Sequence, residues 1–296
     1  MNAVLVTGAG GQLGSELQAL ARSYPALDFH FFDRQALPLD AASALEETFA
    51  SVRPLICINA AAYTAVDKAE SEPSPAFAVN ATAVGTLAGL CRLHGSLFIH
   101  VSTDYVFDGQ GSAPYKETDT VHPLGVYGAS KLKGEELAME AHDRVTILRT
   151  SWVYSYYGKN FVKTMLRLLR EKDTLGVVND QTGRPTYAAD LAMAILDIAM
   201  TYATLPEPSR KTDPRFHSIY HYADRGAITW YDLTAAIQAE IHSSCALRGI
   251  QTSEYPTPAK RPAYSVLDTT RIETAFGVSV PEWRDSLKRC LEKLNV

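Results

Sequence analysis

Two periods alternate along the first half of the chain. Short apolar runs rich in β-branched and aromatic residues recur at 3–7 (AVLVT), 29–33 (FHFFD), from 55 (LICINAAA), from 97 (LFIHVSTD) and from 145 (VTILRTSW). Between them lie stretches with helical spacing: 11–23, with Leu13, Leu17 and Leu20 on one face, then 40–52, 76–95 and the segment after Tyr127. Asp40 stands where an N-cap would, and Gly95 where a C-cap would. Strand–helix alternation with near-continuous apolar strands predicts an α/β fold: a Rossmann-type, doubly wound parallel sheet covered by helices on both faces.

The second half is less regular. Residues 161–172 and 187–203 read as helices and 219–224 as a strand, while the Pro-rich polar segments 205–215 and 251–266 read as surface loops. A dinucleotide-binding domain over 1–150, with returns near 185–222, is expected. A smaller substrate domain takes 151–184 and 223–296, and the crevice between them holds the site.

Composition narrows the function. The 296 residues are 46% hydrophobic and 21% charged, with net charge −5, an ordinary globular balance without the basic stripe of a nucleic-acid partner. An anionic small substrate remains compatible, through a local basic pocket. No apolar stretch approaches the ~20 residues of a membrane span, and the first residues lack the basic and apolar regions of a signal peptide. The cysteines Cys57, Cys91, Cys245 and Cys290 show no C-x-x-C spacing; Cys57 and Cys91 read as core fillers, and a reducing, cytoplasmic compartment is expected. The histidines have no metal-ligand spacing, and no G-x-S-x-G elbow supports a hydrolase.

The chemistry-bearing residues cluster in three places. VTGAGGQLG puts Gly8, Gly11 and Gly14 between the first strand and first helix, with Gly10 also present. Such a turn needs positive φ and close backbone approach to a pyrophosphate, and the helix start offers free N–H groups. Asp33 closes the second strand 19 positions after Gly14, where a carboxylate would hold the adenosine ribose. Arg34 beside it leaves the choice between NADH and NADPH open. At the end of the fourth strand stand Ser102, Thr103, Asp104 and Tyr105, and the next helix opens with Tyr127 four residues before Lys131. Ketone reduction takes a hydride and a proton. A phenol with its ordinary pKa of ~10 is a weak acid, so Lys131 as an ammonium is expected to lower the pKa of Tyr127, with Thr103 donating to the carbonyl oxygen as charge develops.

These residues, with NAAAYTAVDKAESEP (59–73), STDYVFDG (102–109), PLGVYGASKLKGE (123–135), LRTSWVY (148–154), NFVKTML (160–166), VNDQTGRPT (178–186) and YPTPAKRPAYSVLDT (255–269), give the chain its resemblance. It resembles the extended short-chain dehydrogenase/reductase superfamily, and within it the dTDP-4-dehydrorhamnose reductases, over nearly its whole length. The resemblance implies NADPH- or NADH-dependent reduction of the C4 ketone of dTDP-4-dehydro-β-L-rhamnose, with Tyr127 as proton donor, Lys131 its partner and Thr103 the third member. It implies cofactor contacts from Gly8, Gly11, Gln12, Leu13, Asp33, Arg34, Asp40, Ala60, Ala62, Tyr63, Thr64 and Ser102 as well as Tyr127 and Lys131. Thr103, Asp104, Trp152, Asn160 and Arg261 would face the dTDP-sugar, with Arg261 neutralising its diphosphate. Tyr63 departs from the family's histidine. The resemblance leaves a homodimer and Mg²⁺ open; Glu16, where one acidic ligand would lie, reads as an exposed helix residue, and no metal is assigned.

Other readings stay open. A non-catalytic dinucleotide-binding subunit of the methionine adenosyltransferase type would keep the same fold and Tyr/Lys pair, and so would a related epimerase or dehydratase. Residues 180–183 also fit a plain turn, His100 a satisfied core histidine, and Asn80 a support for a neighbouring helix or for the site.

Overall fold

The strand runs described above pair side by side as one sheet. The computed structural model describes residues 2–296. In chain order come β1 (Asn2–Thr7), α1 (Gln12–Leu20), β2 (Leu27–Phe32), α2 (Ala42–Val52), β3 (Ile56–Asn59), α3 (Ala83–His94), β4 (Leu97–Thr103), α4 (Val126–Ala141), β5 (Val145–Thr150), α5 (Phe161–Glu171), α6 (Ala188–Thr204), β6 (Ser218–His221), α7 (Trp230–Glu240) and α8 (Trp283–Lys293). The six strands lie in the order β6-β5-β4-β3-β1-β2, all parallel. The winding direction reverses once, between β1 and β3, which opens a crevice at the carboxyl ends of those strands.

Alternation along each strand sends side chains to two faces. Val4, Val6, Ile56, Ile58, Leu97 and Ile99 pack with Leu13 and Leu17 of α1 and Leu191, Ile195 and Ile198 of α6. Leu5, Cys57, Phe98, Val145 and Ile147 pack on the other face with Leu45 and Phe49 of α2, Val84 and Leu87 of α3, and Ala138 of α4. A separate core joins Val162, Leu166 and Leu169 of α5 to Leu233 and Ile237 of α7 and Leu287 and Leu291 of α8. All four cysteines are buried free thiols.

Three local expectations are corrected. Asp40 does not cap α2: Ala41 holds that position without a side-chain bond, because a turn closing through Ala41 N–H to Pro38 O (3.1 Å) sets the entry instead. Segment 205–215 is not loop throughout but forms a helix at Glu207–Thr212, since proline is tolerated in a first turn and a Glu207–Lys211 pair (2.7 Å) spans it. The helical run Pro73–His94, 22 residues long, is by length and composition apolar enough to cross a bilayer, yet half of its most apolar window is buried inside the fold. A π-turn at Ala78–Thr82 interrupts that run and carries the buried Asn80, and Gly95 ends it with φ 72°.

Helix α4 meets the sheet unusually. Its buried residues are Gly128, Ser130, Lys131, Gly134, Glu135 and Ala138, small or polar rather than large and apolar. Glu135 takes Arg149 of β5 in a two-pronged pair (Nε–Oε1 3.0 Å, Nη2–Oε2 2.7 Å) and accepts from Ser102 of β4 at 2.5 Å. Breaking a pair this deeply buried leaves a bare charge, costing about 3–5 kcal/mol. Glu135→Ala should therefore lower the urea midpoint strongly, whereas Glu135→Leu combined with Arg149→Met should recover most of the loss; equal losses in both would show that packing, not the stranded charge, is at stake.

Candidate active site

The glycine loop follows β1. Gly8 has φ 75°, and a Cβ there would fall 2.5 Å from the backbone nitrogen of Ala61, so the loop lies directly against residues 60–62 beyond β3. Gly11 N–H closes the turn onto Gly8 O at 3.0 Å. Gly11 caps α1 with no side-chain bond and no acid stands in the first turn, so the helix start is open to an anion. Leu13 is buried in the sheet core and offers the site only its backbone. Asp33 lies just beyond β2, 3.7 Å (Cβ to Cβ position) from Gly10, and its Oδ1 accepts from the amides of Gln35 and Ala36 at 2.9 and 2.8 Å. Arg34 is exposed and forms no salt bridge among the described residues. Asp40 and Thr64 are exposed and Ala60 and Ala62 half-buried. Tyr63 turns its hydroxyl to Glu72 (2.7 Å), while its N–H donates to Asn80 Oδ1 at 2.8 Å.

Thr103 ends β4. Its hydroxyl donates to Asp104 Oδ1 at 3.1 Å and accepts from Tyr105 N–H at 3.2 Å. Tyr127 sits in the first turn of α4, edge-on to Tyr105 with ring centroids 5.5 Å apart. Burial pushes the Tyr127 phenol up to about 12, against the Thr103 hydroxyl, which pulls it down. In the ligand-free protein burial therefore outweighs the lowering expected from Lys131. Lys131 turns its amine into the sheet, donating to Val101 O at 2.6 Å and lying 3.2 Å from His100 Nε2, and burial pushes it down to about 8. Tyr127 thus holds its proton at neutral pH, as a proton donor must. Ser102 is also corrected: one position from Thr103, its side chain points to the opposite face, where Glu135 takes it.

An aromatic wall follows β5. Trp152, at φ 48°, stacks on Trp230 with centroids 3.5 Å apart and planes 11° from parallel, and Phe161 lies 4.5 Å from Trp230. The Trp230 indole donates to Gln181 Oε1 at 3.2 Å, and Asp180 accepts from the Thr252 hydroxyl at 2.6 Å, so residues 180–183 hold the wall rather than form a simple turn. Asp104 is buried and pushed up to about 6 by desolvation, against the hydroxyls of Ser265 and Thr103, and its Oδ2 makes no hydrogen bond among the described residues. Asn160 caps α5 by accepting from Lys163 N–H at 3.0 Å, and its amide donates to Gln12 Oε1 at 2.8 Å, tying the glycine loop to the second core. Arg261 is paired with Asp67 (2.8 Å). Glu16 is not exposed: it is 3% accessible and accepts from Ser155 at 2.6 Å, because this face of α1 packs on the loop before α5.

The chain as a whole is similar to known proteins. The family model for the RmlD substrate binding domain matches residues 1–296. A dTDP-4-dehydrorhamnose reductase of Aggregatibacter actinomycetemcomitans is 43% identical over 97% of this chain and 98% of its own length. The chain belongs to the dTDP-4-dehydrorhamnose reductase family. The solved dTDP-4-dehydrorhamnose reductase of Clostridium acetobutylicum superposes with TM-score 0.91 at 35% identity, covering 99% of this chain and 100% of that one. That of Bacillus anthracis, solved in complex with NADP, gives 0.90 at 34% identity, covering 99% and 100%.

For this family member, sequence reasoning passed over Trp230 and Phe161. A usable signal was present: Thr229 and Asp232 form a capping box that starts α7 at Trp230. Gly183 is what lets the aromatic wall close, since a Cβ there would fall 2.7 Å from the Trp152 ring. Gly183→Ala should therefore separate the stacked indoles and cost about 1–3 kcal/mol of stability by overpacking. The exciton-split circular dichroism of the Trp152–Trp230 pair measures this; a band kept at full strength would mean that the wall absorbs a methyl group.

Proposed function

We propose that Tyr127 delivers the proton and Thr103 polarises the ketone in reduction of the C4 ketone of dTDP-4-dehydro-β-L-rhamnose to dTDP-β-L-rhamnose. The chain is a nicotinamide-dependent oxidoreductase of its family, and what carries the residue assignment is a protonated phenol beside the Thr103 hydroxyl at the carboxyl end of β4. Bound reduced nicotinamide would supply the hydride. The uncapped start of α1 with Gly8, Gly11, Gln12 and Leu13 suits a pyrophosphate, and Asp33 suits the adenosine ribose. Free Arg34 is placed for a 2′-phosphate, which favours NADPH, as does the NADP bound by the Bacillus anthracis relative.

Thr103 turns its hydroxyl hydrogen from Asp104 Oδ1 to the carbonyl oxygen as negative charge builds there, and Tyr127 follows with its proton, so the oxygen never carries a full charge in a poorly solvated crevice. The unpartnered Asp104 Oδ2 accepts a sugar hydroxyl. Trp152 supplies a flat apolar surface, and Asn160 and Arg261 border the nucleotide end, Arg261 exchanging part of its Asp67 pairing for the diphosphate. In this reading residues 1–150 with 185–222 bind the dinucleotide, and 151–184 with 223–296 shape the sugar-nucleotide side. The buried free thiols accord with a reducing cytosol.

Tyr127→Phe keeps the ring and removes the hydroxyl that carries the proton. Turnover of NADPH with dTDP-4-dehydrorhamnose should fall by about 10²–10⁴-fold, while NADPH binding measured by fluorescence titration stays within a few-fold of wild type. Turnover that survives the substitution would place the acid elsewhere.

A further inference from the structure

Helix α4 begins without a cap of its own. Its N-cap residue is Gly125, extended at φ −150° and ψ 176°, which has no side chain to offer, and no acid stands in the first turn. The first N–H groups of a helix have no partner within it, and an uncapped end frays. Tyr127 is the second residue of α4, so the proton donor stands on the part of the helix that the helix itself holds least.

The cap comes from elsewhere in the chain. Glu70 Oε1 accepts from Val126 N–H at 2.9 Å, across 56 positions. Gly125 makes room for it, since a Cβ there would fall 2.5 Å from that same oxygen. The backbone of Gly125 lies in the extended region open to any residue, so glycine serves the approach of the carboxylate and not a turn. Glu70 is itself firmly placed. It follows a single helical turn, Val66–Ala69, whose Ala69 is fully buried. From that turn Asp67 accepts from Ala259 N–H at 3.2 Å and pairs with Arg261 at 2.8 Å, and Glu72 N–H closes onto Lys68 O at 2.8 Å. Asn80 adds a second tie between this segment and α4, accepting from Tyr63 N–H at 2.8 Å and donating to Ser130 Oγ at 3.0 Å. The chemistry described above leaves Glu70 unused.

We propose that Glu70 is a positioning residue for the reduction: from the segment after β3 it caps α4 and so fixes the Tyr127 hydroxyl relative to Thr103. It acts through the backbone of Val126, and its functional weight rests on the reading of Tyr127 as proton donor. Proton transfer needs hydrogen-bond reach, and a displacement of about 1 Å is enough to slow a reaction by about 10²-fold. Loosening of this first turn therefore shows in kcat while the rest of the fold stands. The bond from Val126 needs only an acceptor oxygen, which a glutamine also carries.

Steady-state kinetics with NADPH and dTDP-4-dehydrorhamnose test this, beside amide hydrogen exchange of residues 123–131 in the ligand-free full chain. Glu70→Ala should lower kcat by about tenfold, keep KM for both substrates within about threefold, and speed exchange at the start of α4. Glu70→Gln should bring kcat back to within about threefold of wild type. Gly125→Ala should reproduce the loss by displacing the carboxylate, and the double variant with Glu70→Ala should be no slower than either alone, because both remove one bond. An unchanged kcat in Glu70→Ala, a loss that falls on KM instead, a glutamine variant as slow as the alanine one, or losses that add in the double variant would each overturn the proposal. Unchanged exchange in Glu70→Ala beside normal wild-type turnover would overturn it and leave the reductase reading standing. No wild-type turnover beside faster exchange in Glu70→Ala would overturn that reading and keep the cap.

Discussion

Everything about this site depends on how α4 is seated. An ordinary surface helix buries a stripe of large apolar residues, whereas this one buries glycines, a serine, a lysine and a glutamate. Its attachment is therefore directional. Lys131 is bonded into β4, and Glu135 is bonded to β4 and β5 together. Sliding the helix would strand charges in a dry interior, at several kcal/mol each, while an apolar interface could slide at little cost. The same bonds that seat the helix set Tyr127 at its first turn beside the end of β4.

Burial then decides the chemistry of each group. The same desolvation raises the Tyr127 phenol, lowers the Lys131 amine and raises the Asp104 carboxyl, in every case toward the uncharged form. The second core and its aromatic wall are tied to the glycine loop through Asn160 and Gln12, so the two sides of the crevice are mechanically joined.

Much of this was legible in the sequence. The strand and helix periods gave the parallel sheet because burial on both faces leaves a plain apolar signature, and the glycine loop, Asp33, Thr103, Tyr127 and the family stood out on motif context. Other features were not legible for definable reasons. Ser102 and Thr103 are adjacent, and only the register of β4 tells which one faces the crevice. Glu16 looks like a surface residue on its own helix and is covered by a loop some 140 positions away. The sign of the Tyr127 shift depends on how deeply the phenol is buried, and Tyr-x-x-x-Lys spacing contains no information about that. Trp230 meets Trp152 across 77 intervening positions, so pairing them requires the folded chain.

The most direct measurement is a crystal structure of the protein with NADP and dTDP-rhamnose. This account requires one sugar oxygen, O4, to sit within about 2.6–3.2 Å of both the Tyr127 and Thr103 hydroxyls, with Asp104 Oδ2 bonded to the sugar. A sugar bound with O4 away from both hydroxyls, or with Tyr127 turned out of the crevice, would contradict it.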